Sequence, residues 1–384
     1  MRFYEDRGLE ISKAEGQYVW DPEGNLYLDF HTGHGVAFLG HRNPRVVEAI
    51  VSQLENVATA TPSFKVKIRE ELLASLENII PPHLSHVSLL NSGSEAVELA
   101  LKIARKATGR RKLVGFSGSF HGRTMGALSV TGSPKYRSSF EPLVGDSIIL
   151  PYNSVEALDK IDSETAGVIV EIVQGEGGVI PAERDFIKAL KERVEEKEAI
   201  LVVDEVQTGF GRTGMIWAFQ HYNIEPDILV AGKAVGGGFP ASLTALPEDL
   251  ASKLEPGDHG STYGGNPLAC AAVKASVEVL LGDNVAGKAE FMGKLLHDRL
   301  VSKLRGSRLV RGVRGLGLML GVDLRVAPGG VIKCVQSRRV LTLKAGSTVV
   351  RLLPPYLITE GDVEWGVEAI ARCVHEELSL KTPT

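Results

Sequence analysis

A buried acid is the first residue of the sequence with clear chemical potential. Asp204 follows the apolar run Ala199-Ile-Leu-Val-Val203 and precedes Glu205. A carboxylate in this position is poorly hydrated, which is costly unless a cation or hydrogen-bond donors meet it. Two partners have the required charge: Mg²⁺ held through water in an ATPase, or the protonated nitrogen of a pyridine ring. A carboxylate beside that nitrogen keeps the ring cationic, so that the ring can take up the electrons of a substrate carbanion.

The ATPase alternative requires a phosphate loop of the pattern Gly-x-x-x-x-Gly-Lys-Ser/Thr. The Gly-Lys pairs of this chain lie at 232–233, 287–288 and 293–294, and they are followed by Ala, Ala and Leu. The sequence therefore excludes that loop and favours the pyridine ring.

Lys233 lies 29 residues after Asp204, at the end of the next apolar run, and is followed by Ala-Val-Gly-Gly-Gly238. A lysine at a strand end is usually a solvated edge charge. Here it accompanies a buried acid and a glycine triplet that permits close backbone approach. A desolvated lysine near another cation loses its proton readily, as the nucleophile of a Schiff base must.

The segment Asn91-Ser-Gly-Ser-Glu-Ala96 follows the short apolar run of residues 86–90 and begins a helical pattern. Small residues at a helix start expose N–H groups at the positive end of the helix dipole, and these groups bind anions. Ser-x-x-Glu is also an ordinary helix cap. Alone, the segment leaves both a phosphate site and a plain cap open.

The middle of the chain contains the elements that must position these residues. Apolar runs at 166–173, 199–204 and 227–232 predict buried strands. Between them, residues 184–197 have apolar side chains near a 3.6-residue period, which predicts a helix. Strands that alternate with helices indicate an α/β fold with a mostly parallel central sheet. Such sheets bind ligands at the carboxyl ends of their strands, where Asp204 and Lys233 are expected.

The two ends of the chain have a different pattern. Residues 17–30 predict a hairpin with a turn at Pro22-Glu-Gly-Asn25. After residue 285, a long helical pattern precedes short strands at 315–323 and 349–353. These segments resemble a separate α+β unit rather than a continuation of the central sheet.

The length of 384 residues is too great for one small core, so we expect two packed units. The large domain would span residues 46–284, and a smaller domain would consist of residues 1–45 and 285–384. A net charge of −4 gives no reason to expect nucleic acid as a partner. No membrane partner is expected either, because no apolar run approaches the ~20 residues of a spanning helix.

Cysteine and amide usage bear on the cellular setting. Cys270, Cys334 and Cys373 are widely spaced and odd in number, so we expect neither a disulfide framework nor a metal site. Together with an N-terminus that lacks an apolar signal region, this favours a cytoplasmic protein. The chain has only nine Asn and six Gln. Scarcity of heat-labile amides fits a thermophilic source, and drift in base composition explains it equally well.

Seven blocks in chain order carry a resemblance to a known family. They are Asn91-Ser-Gly-Ser-Glu-Ala96, Phe120-His-Gly-Arg-Thr124, Gln174-Gly-Glu-Gly-Gly178, Asp204-Glu-Val-Gln-Thr-Gly-Phe-Gly-Arg-Thr-Gly214, Gly232-Lys233, Ser261-Thr-Tyr-Gly-Gly-Asn-Pro267 and Arg351-Leu-Leu-Pro-Pro355. From about Tyr18 to Thr359 the chain resembles class III aminotransferases of the acetylornithine aminotransferase type. The resemblance implies the type I aminotransferase fold, pyridoxal 5'-phosphate as the cofactor, and a homodimer with a shared active site.

The same resemblance implies roles for individual residues. Lys233 would carry the cofactor as a Schiff base and then act as general base and acid, while Asp204 would pair with the ring nitrogen. The other implied cofactor-binding residues are Gly93 and Ser94 at the phosphate, Phe120 against the ring face, Gln207 at the ring hydroxyl, Glu205 and Val206 beside them, and Thr262 from the second subunit.

Two arginines imply the substrate class. By resemblance, Arg123 would bind the α-carboxylate of an acceptor whose far end reacts, with Ser261 nearby. Arg351 would bind the α-carboxylate of glutamate or 2-oxoglutarate, and Glu176 would cover Arg351 when the ω-amino substrate is bound. A guanidinium binds a carboxylate through two N–H groups, so lysine should replace neither arginine well.

The stretch Asp29-Phe-His-Thr-Gly-His-Gly-Val-Ala-Phe-Leu-Gly-His41 narrows the acceptor. Related enzymes that act on free ornithine have a tyrosine at the position of His34, and it holds the free α-amino group. Its absence favours an acceptor whose α-amino group is masked. The stretch is similar to that of archaeal enzymes of lysine and arginine biosynthesis, which act on aminoadipate or glutamate semialdehyde attached to the acidic carrier protein LysW. N-acetylornithine is the alternative acceptor, and a same-fold aminomutase or decarboxylase is a more remote alternative.

A basic rim would suit an acidic carrier. Arg42 and the run Arg110-Arg-Lys112 are candidates for that rim, although surface charges of this kind commonly have no specific partner.

Overall fold

Within the described part of the chain, Phe3 and residues 5–381, a seven-stranded sheet forms the centre of the molecule. The structure is a computed structural model. The strands are β1 (Lys13–Glu15), β2 (Tyr18–Trp20), β3 (Leu26–Asp29), β4 (His86–Leu90), β5 (Lys112–Phe116), β6 (Ser147–Leu150), β7 (Thr165–Val170), β8 (Val173–Gln174), β9 (Ile180–Pro181), β10 (Ile200–Asp204), β11 (Ile228–Ala231), β12 (Ser242–Leu246), β13 (Val310–Leu316), β14 (Met319–Leu324), β15 (Val340–Leu341), β16 (Leu343–Ala345) and β17 (Val349–Leu352).

The helices surround these strands. They are α1 (Thr32–Gly35), α2 (Pro44–Leu54), α3 (Lys67–Leu76), α4 (Gly93–Thr108), α5 (Met125–Val130), α6 (Pro134–Arg137), α7 (Arg184–Glu196), α8 (Glu248–Ala251), α9 (Pro267–Gly282), α10 (Val285–Leu304), α11 (Gly329–Ser337) and α12 (Glu360–Lys381). Short 3-10 helices span Ser138–Phe140, Glu156–Lys160, Ala218–Tyr222 and Lys233–Gly236. Among the described residues, none of the helices has the length and apolar character needed to cross a membrane.

The central sheet has the strand order β4-β12-β11-β10-β7-β5-β6. Its strands pair in parallel from β11 to β6, whereas β12 is antiparallel to both of its neighbours. Side chains that alternate along β7 enter two different cores: Val168 and Val170 belong to the core that includes the buried residues of α7, and Ile169 belongs to the core that includes those of α4. Helices therefore cover both faces, as a parallel sheet requires. The predicted α/β fold with a mostly parallel sheet is confirmed.

Most of the predicted elements agree with the structure to within a residue or two. The predicted strands at 199–204 and 227–232 are β10 and β11, and the predicted helix at 184–197 is α7. The predicted strand at 166–173 is two strands, because β7 ends at Val170 and β8 begins at Val173. The predicted strand at 315–323 is wrong. There the chain reverses at Gly317, whose φ of 52° suits a turn, and β13 pairs antiparallel with β14.

The two ends of the chain meet in one smaller sheet. Strands β2 and β3 form the predicted hairpin, and β15 from the C-terminal part adds to β3 in parallel, with Val340 opposite Leu28. A further antiparallel sheet has the order β13-β14-β17-β16. The grouping of residues 1–45 with 285–384 as one domain, and the boundaries of that domain, stay predictions.

A disulfide bond corrects one expectation. Cys334 of α11 and Cys373 of α12 are 39 residues apart in the chain, but their Cα atoms are 5.6 Å apart and their sulfur atoms are bonded. Cys270 is free and buried. The disulfide removes the argument that the spacing of the cysteines gave for a reducing compartment. It does not imply an oxidising compartment either, because intracellular proteins of hyperthermophiles can be rich in disulfides.

Arg212 ties the central sheet to the smaller sheets. Its guanidinium is 1% exposed and donates hydrogen bonds to the carbonyl oxygens of Leu318 (3.0 Å), Pro354 (3.0 Å) and Gly35 (3.2 Å). It also lies 4.2 Å from the ring centroid of Phe38. These contacts hold the loop of residues 31–35 and the segment after β17 beside the carboxyl end of the central sheet.

Candidate active site

The residues selected from the sequence meet at the carboxyl edge of the central sheet. Asp204 ends β10, Lys233 follows β11, and Glu171 follows β7. They line a cavity of about 180 Å³. The predicted residues on its walls are Gly93, Ser94, Phe120, Glu176, Asp204, Val206, Gln207 and Lys233, and the structure adds His121 and Glu171.

The N-terminus of α4 forms one wall of the cavity. Ser92 and Glu95 make a reciprocal capping box, in which Ser92 Oγ accepts from the N–H of Glu95 and Glu95 Oε2 accepts from the N–H of Ser92. Within the described part of the chain, no acceptor meets the N–H groups of Gly93 and Ser94, so these donors are available to an anion. A Cβ atom at Gly93 would lie 2.8 Å from Val206 Cγ1, so the approach requires glycine.

Asp204 lies against a histidine that the sequence analysis did not select. The carboxylate is 4% exposed; its Oδ1 accepts from the N–H of Val206 (2.9 Å), and its Oδ2 lies 2.7 Å from His121 Nδ1. On the other side of this imidazole, Nε2 is buried and has no partner among the described residues. These two contacts hold the Asp204 carboxylate in a fixed orientation at the bottom of the cavity.

Glu171 is a second buried acid that the sequence analysis missed. Its Oε2 accepts from the N–H of Phe120 (3.0 Å) and its Oε1 from the N–H of Gly175 (3.3 Å). One carboxyl group thus fixes the loop that carries Phe120 and the loop that carries Glu176. Burial, together with the nearby Asp204, raises the pKa of Glu171 to about 7. The sequence contains a signal for Glu171, because this acid follows an apolar run just as Asp204 does.

Lys233 has the backbone and the electrostatics of a reactive amine. Its φ of 48° is in the left-handed region, which is uncommon for a non-glycine residue and is typical of functional sites. Desolvation by burial, and then the Arg351 guanidinium, lower the pKa of Lys233 to about 8. About a tenth of the amine is therefore neutral at pH 7, far more than in an ordinary lysine with a pKa of ~10.4, and the neutral amine is the nucleophile.

Arg351 and Glu176 form an ion pair at the cavity. Arg351 is fully buried, with Nη2 at 2.6 Å from Glu176 Oε1 and Nη1 at 3.1 Å from Gln207 Oε1. Its Nε has no partner among the residues that the structure describes. Burial opposes ionisation of Glu176, but the guanidinium outweighs it, and the net effect lowers the pKa of Glu176. Glu176 therefore covers Arg351, while the Nε–H group of Arg351 stays available to another carboxylate.

Phe120 and Arg123 belong to an aromatic cluster beside the cavity. Phe120 lines the cavity and meets Tyr136 edge to face, with ring centroids 5.2 Å apart. Arg123 is exposed, with its guanidinium carbon 5.0 Å from the Tyr136 centroid and 5.9 Å from that of Phe120. Cation–π contacts of this kind orient a guanidinium without occupying its hydrogen bonds.

Five predicted site residues do not line this cavity: Arg123 and Arg351 lie beside it, and Glu205, Ser261 and Thr262 have their contacts elsewhere in the chain. Glu205 directs its carboxylate away from the cavity, accepting from Thr208 Oγ1 (2.5 Å) and from the N–H of Phe219 (2.9 Å). Ser261 lines a separate cavity of about 440 Å³, and its Oγ accepts from Asn91 Nδ2 (2.9 Å). Thr262 is exposed beside it. Contributions from the last two to the active site would require another copy of the chain.

The run Arg110-Arg-Lys112 of the candidate basic rim is not at this edge of the sheet. Arg110 donates to the carbonyl oxygens of Thr165 (3.2 Å) and Lys197 (2.6 Å), beside the amino ends of the strands. Arg111 and Lys112 pair with acids at 2.9 and 2.5 Å in the same region. Since β5 begins at Lys112 and its carboxyl end is at Phe116, this run lies at the opposite edge from Asp204.

The donors and charges of the cavity fit pyridoxal phosphate. The free N–H groups at the start of α4 suit its phosphate, and the Asp204 carboxylate suits a protonated ring nitrogen. Lys233 provides an amine with a lowered pKa for its aldehyde. The unpartnered Nε2 of His121 marks a buried polar position on the same wall.

Comparisons with known proteins agree with this chemistry. Residues 4–374 match the aminotransferase class-III family. The LysW-aminoadipate semialdehyde/glutamate semialdehyde transaminase of Sulfolobus acidocaldarius is 56% identical over 364 residues, covering 95% of this chain and 94% of that protein. The acetylornithine aminotransferase of Archaeoglobus fulgidus is 44% identical over 369 residues, covering 96% of each chain.

Solved structures resemble the whole fold. An ornithine aminotransferase from Toxoplasma gondii, whose structure has partial occupancy of PLP at its active site, has a TM-score of 0.94 and 32% identity, covering 99% of this chain and 93% of that chain. An acetylornithine aminotransferase from Elizabethkingia anophelis has a TM-score of 0.87 and 31% identity, with coverage of 98% and 96%. The chain therefore belongs to the class-III aminotransferases and is a pyridoxal-phosphate-dependent enzyme.

Proposed function

We propose that the protein transfers the amino group between glutamate and the ω-semialdehyde of an acid whose α-amino group is masked. The acceptor would be aminoadipate or glutamate semialdehyde attached to the carrier protein LysW, in lysine or arginine biosynthesis. The observation that carries the proposal is the ion pair of the buried Arg351 with the partly exposed Glu176 beside Lys233. The names of relatives at 56% and 55% identity support the choice of acceptor. N-acetylornithine is the second candidate, supported by the relative at 44% identity.

Different residues of the cavity would hold different parts of the cofactor. Gly93 and Ser94 would bind the phosphate, Asp204 the ring nitrogen, Phe120 the ring face and Lys233 the aldehyde carbon. When bound, pyridoxal phosphate supplies a cationic ring that takes up electrons from the substrate carbon. Gln207, which now accepts from Arg351, has a free lone pair for a further donor.

The chain itself supplies the proton transfers and the substrate switch. Once released, Lys233 would accept the proton of the substrate carbon on its Nζ and then donate that proton to the former aldehyde carbon of the cofactor. Arg351 would bind the α-carboxylate of glutamate after Glu176 swings away. With the ω-amino substrate, Glu176 would cover Arg351 again, so that no buried cation is left unpaired. One cavity could then accept two substrates that present opposite ends.

Glu176→Gln tests the switch. Glutamine keeps the shape of the side chain but removes the carboxylate that competes with glutamate for Arg351. We expect KM for glutamate to fall and KM for the ω-amino substrate to rise, each by about tenfold, the size of one charged hydrogen bond. Steady-state kinetics with glutamate and with N-acetylornithine measures both. If the two KM values move in the same direction, or neither moves, Glu176 is not a switch.

The lowered pKa of Lys233 predicts how cofactor capture depends on pH. Only the neutral amine attacks an aldehyde, so protonation below the pKa slows the reaction. Covalent capture of pyridoxal phosphate by cofactor-free protein should accelerate about tenfold per pH unit below pH 7 and level off above about pH 8. Stopped-flow absorbance follows this rate. A rate that still rises at pH 10 would indicate an ordinary lysine, whose pKa is ~10.4.

The acceptor itself is tested by comparing kcat/KM for the LysW-linked semialdehyde and for N-acetylornithine, each paired with glutamate or its keto acid. We expect the carrier-linked compound to be preferred by at least about tenfold. Equal values would favour the acetylated acceptor, and transfer to neither compound would contradict the proposed function. The absence of net amino transfer from glutamate to any acceptor would instead favour an aminomutase or decarboxylase.

The assembly and setting of the enzyme are also proposals. A homodimer would let Ser261 and Thr262 of one subunit reach the active site of the other, which is supported by their position outside the cavity of their own chain. A thermophilic source is supported by the scarcity of Asn and Gln. A cytoplasmic location is compatible with the Cys334–Cys373 bond, because intracellular proteins of hyperthermophiles can contain disulfides.

A further inference from the structure

The segment of residues 31–35, in which the short turn α1 has left-handed rather than α-helical φ values, has a strained backbone. Thr32, Gly33, His34 and Gly35 have φ values of 46°, 59°, 61° and 89°. Glycine adopts such values freely, but Thr32 and His34 do so only at a cost. Strain of this kind persists where the surrounding structure imposes it, and it is concentrated at functional sites.

Hydrogen bonds from several elements impose this conformation. Asp29 Oδ1 accepts from the N–H groups of His31 (2.8 Å) and Thr32 (2.9 Å), and Thr32 Oγ1 donates to the carbonyl of Leu353 (2.6 Å). Gln207 Nε2 donates to the carbonyl of His34 (3.3 Å). The His34 backbone is therefore anchored to two segments of the active site, residue 207 and the chain after Arg351.

The His34 side chain is held in place but has no hydrogen bond of its own. Its ring meets the ring of His31 edge to face, with centroids 4.8 Å apart, and the side chain is exposed. Among the described residues, no donor or acceptor meets a ring nitrogen of His34. The charges that act on it are those of the active site: Arg351, Glu176, Lys233 and Arg123.

The surroundings favour a neutral ring. Desolvation, followed by the Arg351 guanidinium, lowers the pKa of His34 from its ordinary value, although Glu176 opposes this. Neutral imidazole has one donor and one acceptor, which matches an amide group. It offers no negative charge to an ammonium group, and the nearby Glu176 is already engaged by Arg351.

We propose that His34 is a specificity-determining residue that hydrogen-bonds the acylated α-amino group of the acceptor. The assignment rests on the proposed function, since it presumes a masked acceptor. To the proposed function this assignment adds His34 as the residue that distinguishes an acylated α-amino group from a free α-amino group. His31 positions the ring through the edge-to-face contact and through its Nδ1, which accepts from the N–H of His34 (3.4 Å).

Three variants test this role: His34→Ala, His34→Asn and the control His297→Ala. Asparagine tolerates positive φ and keeps a neutral donor and acceptor. His297 is a histidine of α10 that pairs with Asp298 (3.2 Å), away from the active site. The readouts are kcat/KM for N-acetylornithine, for ornithine and for the glutamate half-reaction, with thermal unfolding as a check on the fold.

We expect wild type and His297→Ala to prefer N-acetylornithine. In His34→Ala the acetylornithine-to-ornithine ratio should fall by about tenfold, mainly through KM for N-acetylornithine, and His34→Asn should restore most of it. A ratio that is unchanged in His34→Ala overturns this proposal alone, as does an equal loss in the glutamate half-reaction. A wild-type protein with no preference for the acetylated compound overturns the proposed function.

Discussion

Lys233→Ala is expected to lower kcat by at least about 10²- to 10⁴-fold, the contribution that a positioned general acid and base makes. The purified variant should also lack the yellow colour that a lysine-linked pyridoxal phosphate gives. Both losses follow from the position of Lys233 after β11, where its lowered pKa makes the amine a nucleophile and a proton carrier. Since alanine relieves the burial of a charged amine, the fold itself should not be weakened.

Lys294→Ala is a suitable control, because Lys294 is an exposed residue of α10 paired with Asp298 (3.1 Å). Absorbance spectra, kcat for glutamate and thermal unfolding should be measured on both variants. Full turnover by Lys233→Ala would remove Lys233 from the mechanism. Addition of a small primary amine should restore part of the lost activity, since it replaces the proton carrier but not the tether.

Asp204→Asn is expected to lower kcat by about 10²- to 10³-fold, as loss of a preorganised electrostatic partner does. Asparagine has the shape of aspartate and can still accept from the N–H of Val206 through Oδ1. It has no negative charge with which to stabilise a proton on the ring nitrogen. Proton removal from the substrate should therefore slow, while the anion seat on α4 and Lys233 still bind the cofactor.

The measurement is single-turnover absorbance with glutamate, together with the cofactor content of the purified variant. Asp283→Asn is the matched control, because Asp283 pairs with Arg45 (2.5 Å) and Tyr356 (2.6 Å) beyond the end of α9. Unchanged kcat in Asp204→Asn would refute the electrostatic role. Loss of cofactor without a change in the rate per bound cofactor would assign Asp204 to binding alone.

The fold was predictable from the sequence wherever burial leaves a periodic pattern. Strands β10 and β11 are buried on both faces and therefore appear as continuous apolar runs. The hairpin of β13 and β14 is hidden in the sequence because the stretch of residues 315–320 is apolar throughout and the turn within it needs only Gly317 and Leu318. The Cys334–Cys373 bond depends on the packing of α11 on α12, which spacing along the chain does not reveal.

The active site was predictable to the extent that its residues have local signals. Asp204 and Lys233 each follow an apolar run, so their position at one edge of the sheet follows from the parallel topology. Glu171 has the same signal, but the apolar run continues to Val173 and predicts a longer strand with Glu171 in its interior. His121 has none, since its role comes from a contact with Asp204 across 83 residues of chain.

Two further outcomes show where local signals fail. Glu205 adjoins Asp204, but successive side chains of a strand point in opposite directions, and its carboxylate binds Thr208 and Phe219 instead. Resemblance alone could not show this. The predicted roles of Ser261 and Thr262 depend on a second copy of the chain. A single chain does not test them, so they stay proposals.

Chemical mapping of the cofactor link is the most direct test of the central assignment. Borohydride would fix the bond between the cofactor and its lysine in the holoenzyme, and peptide mass analysis would then locate the modified residue. We predict that the label lies on Lys233 alone, in stoichiometric amount, and that prior incubation with glutamate removes it. A label on another lysine, or a holoenzyme with no fixed label, would contradict the assignment.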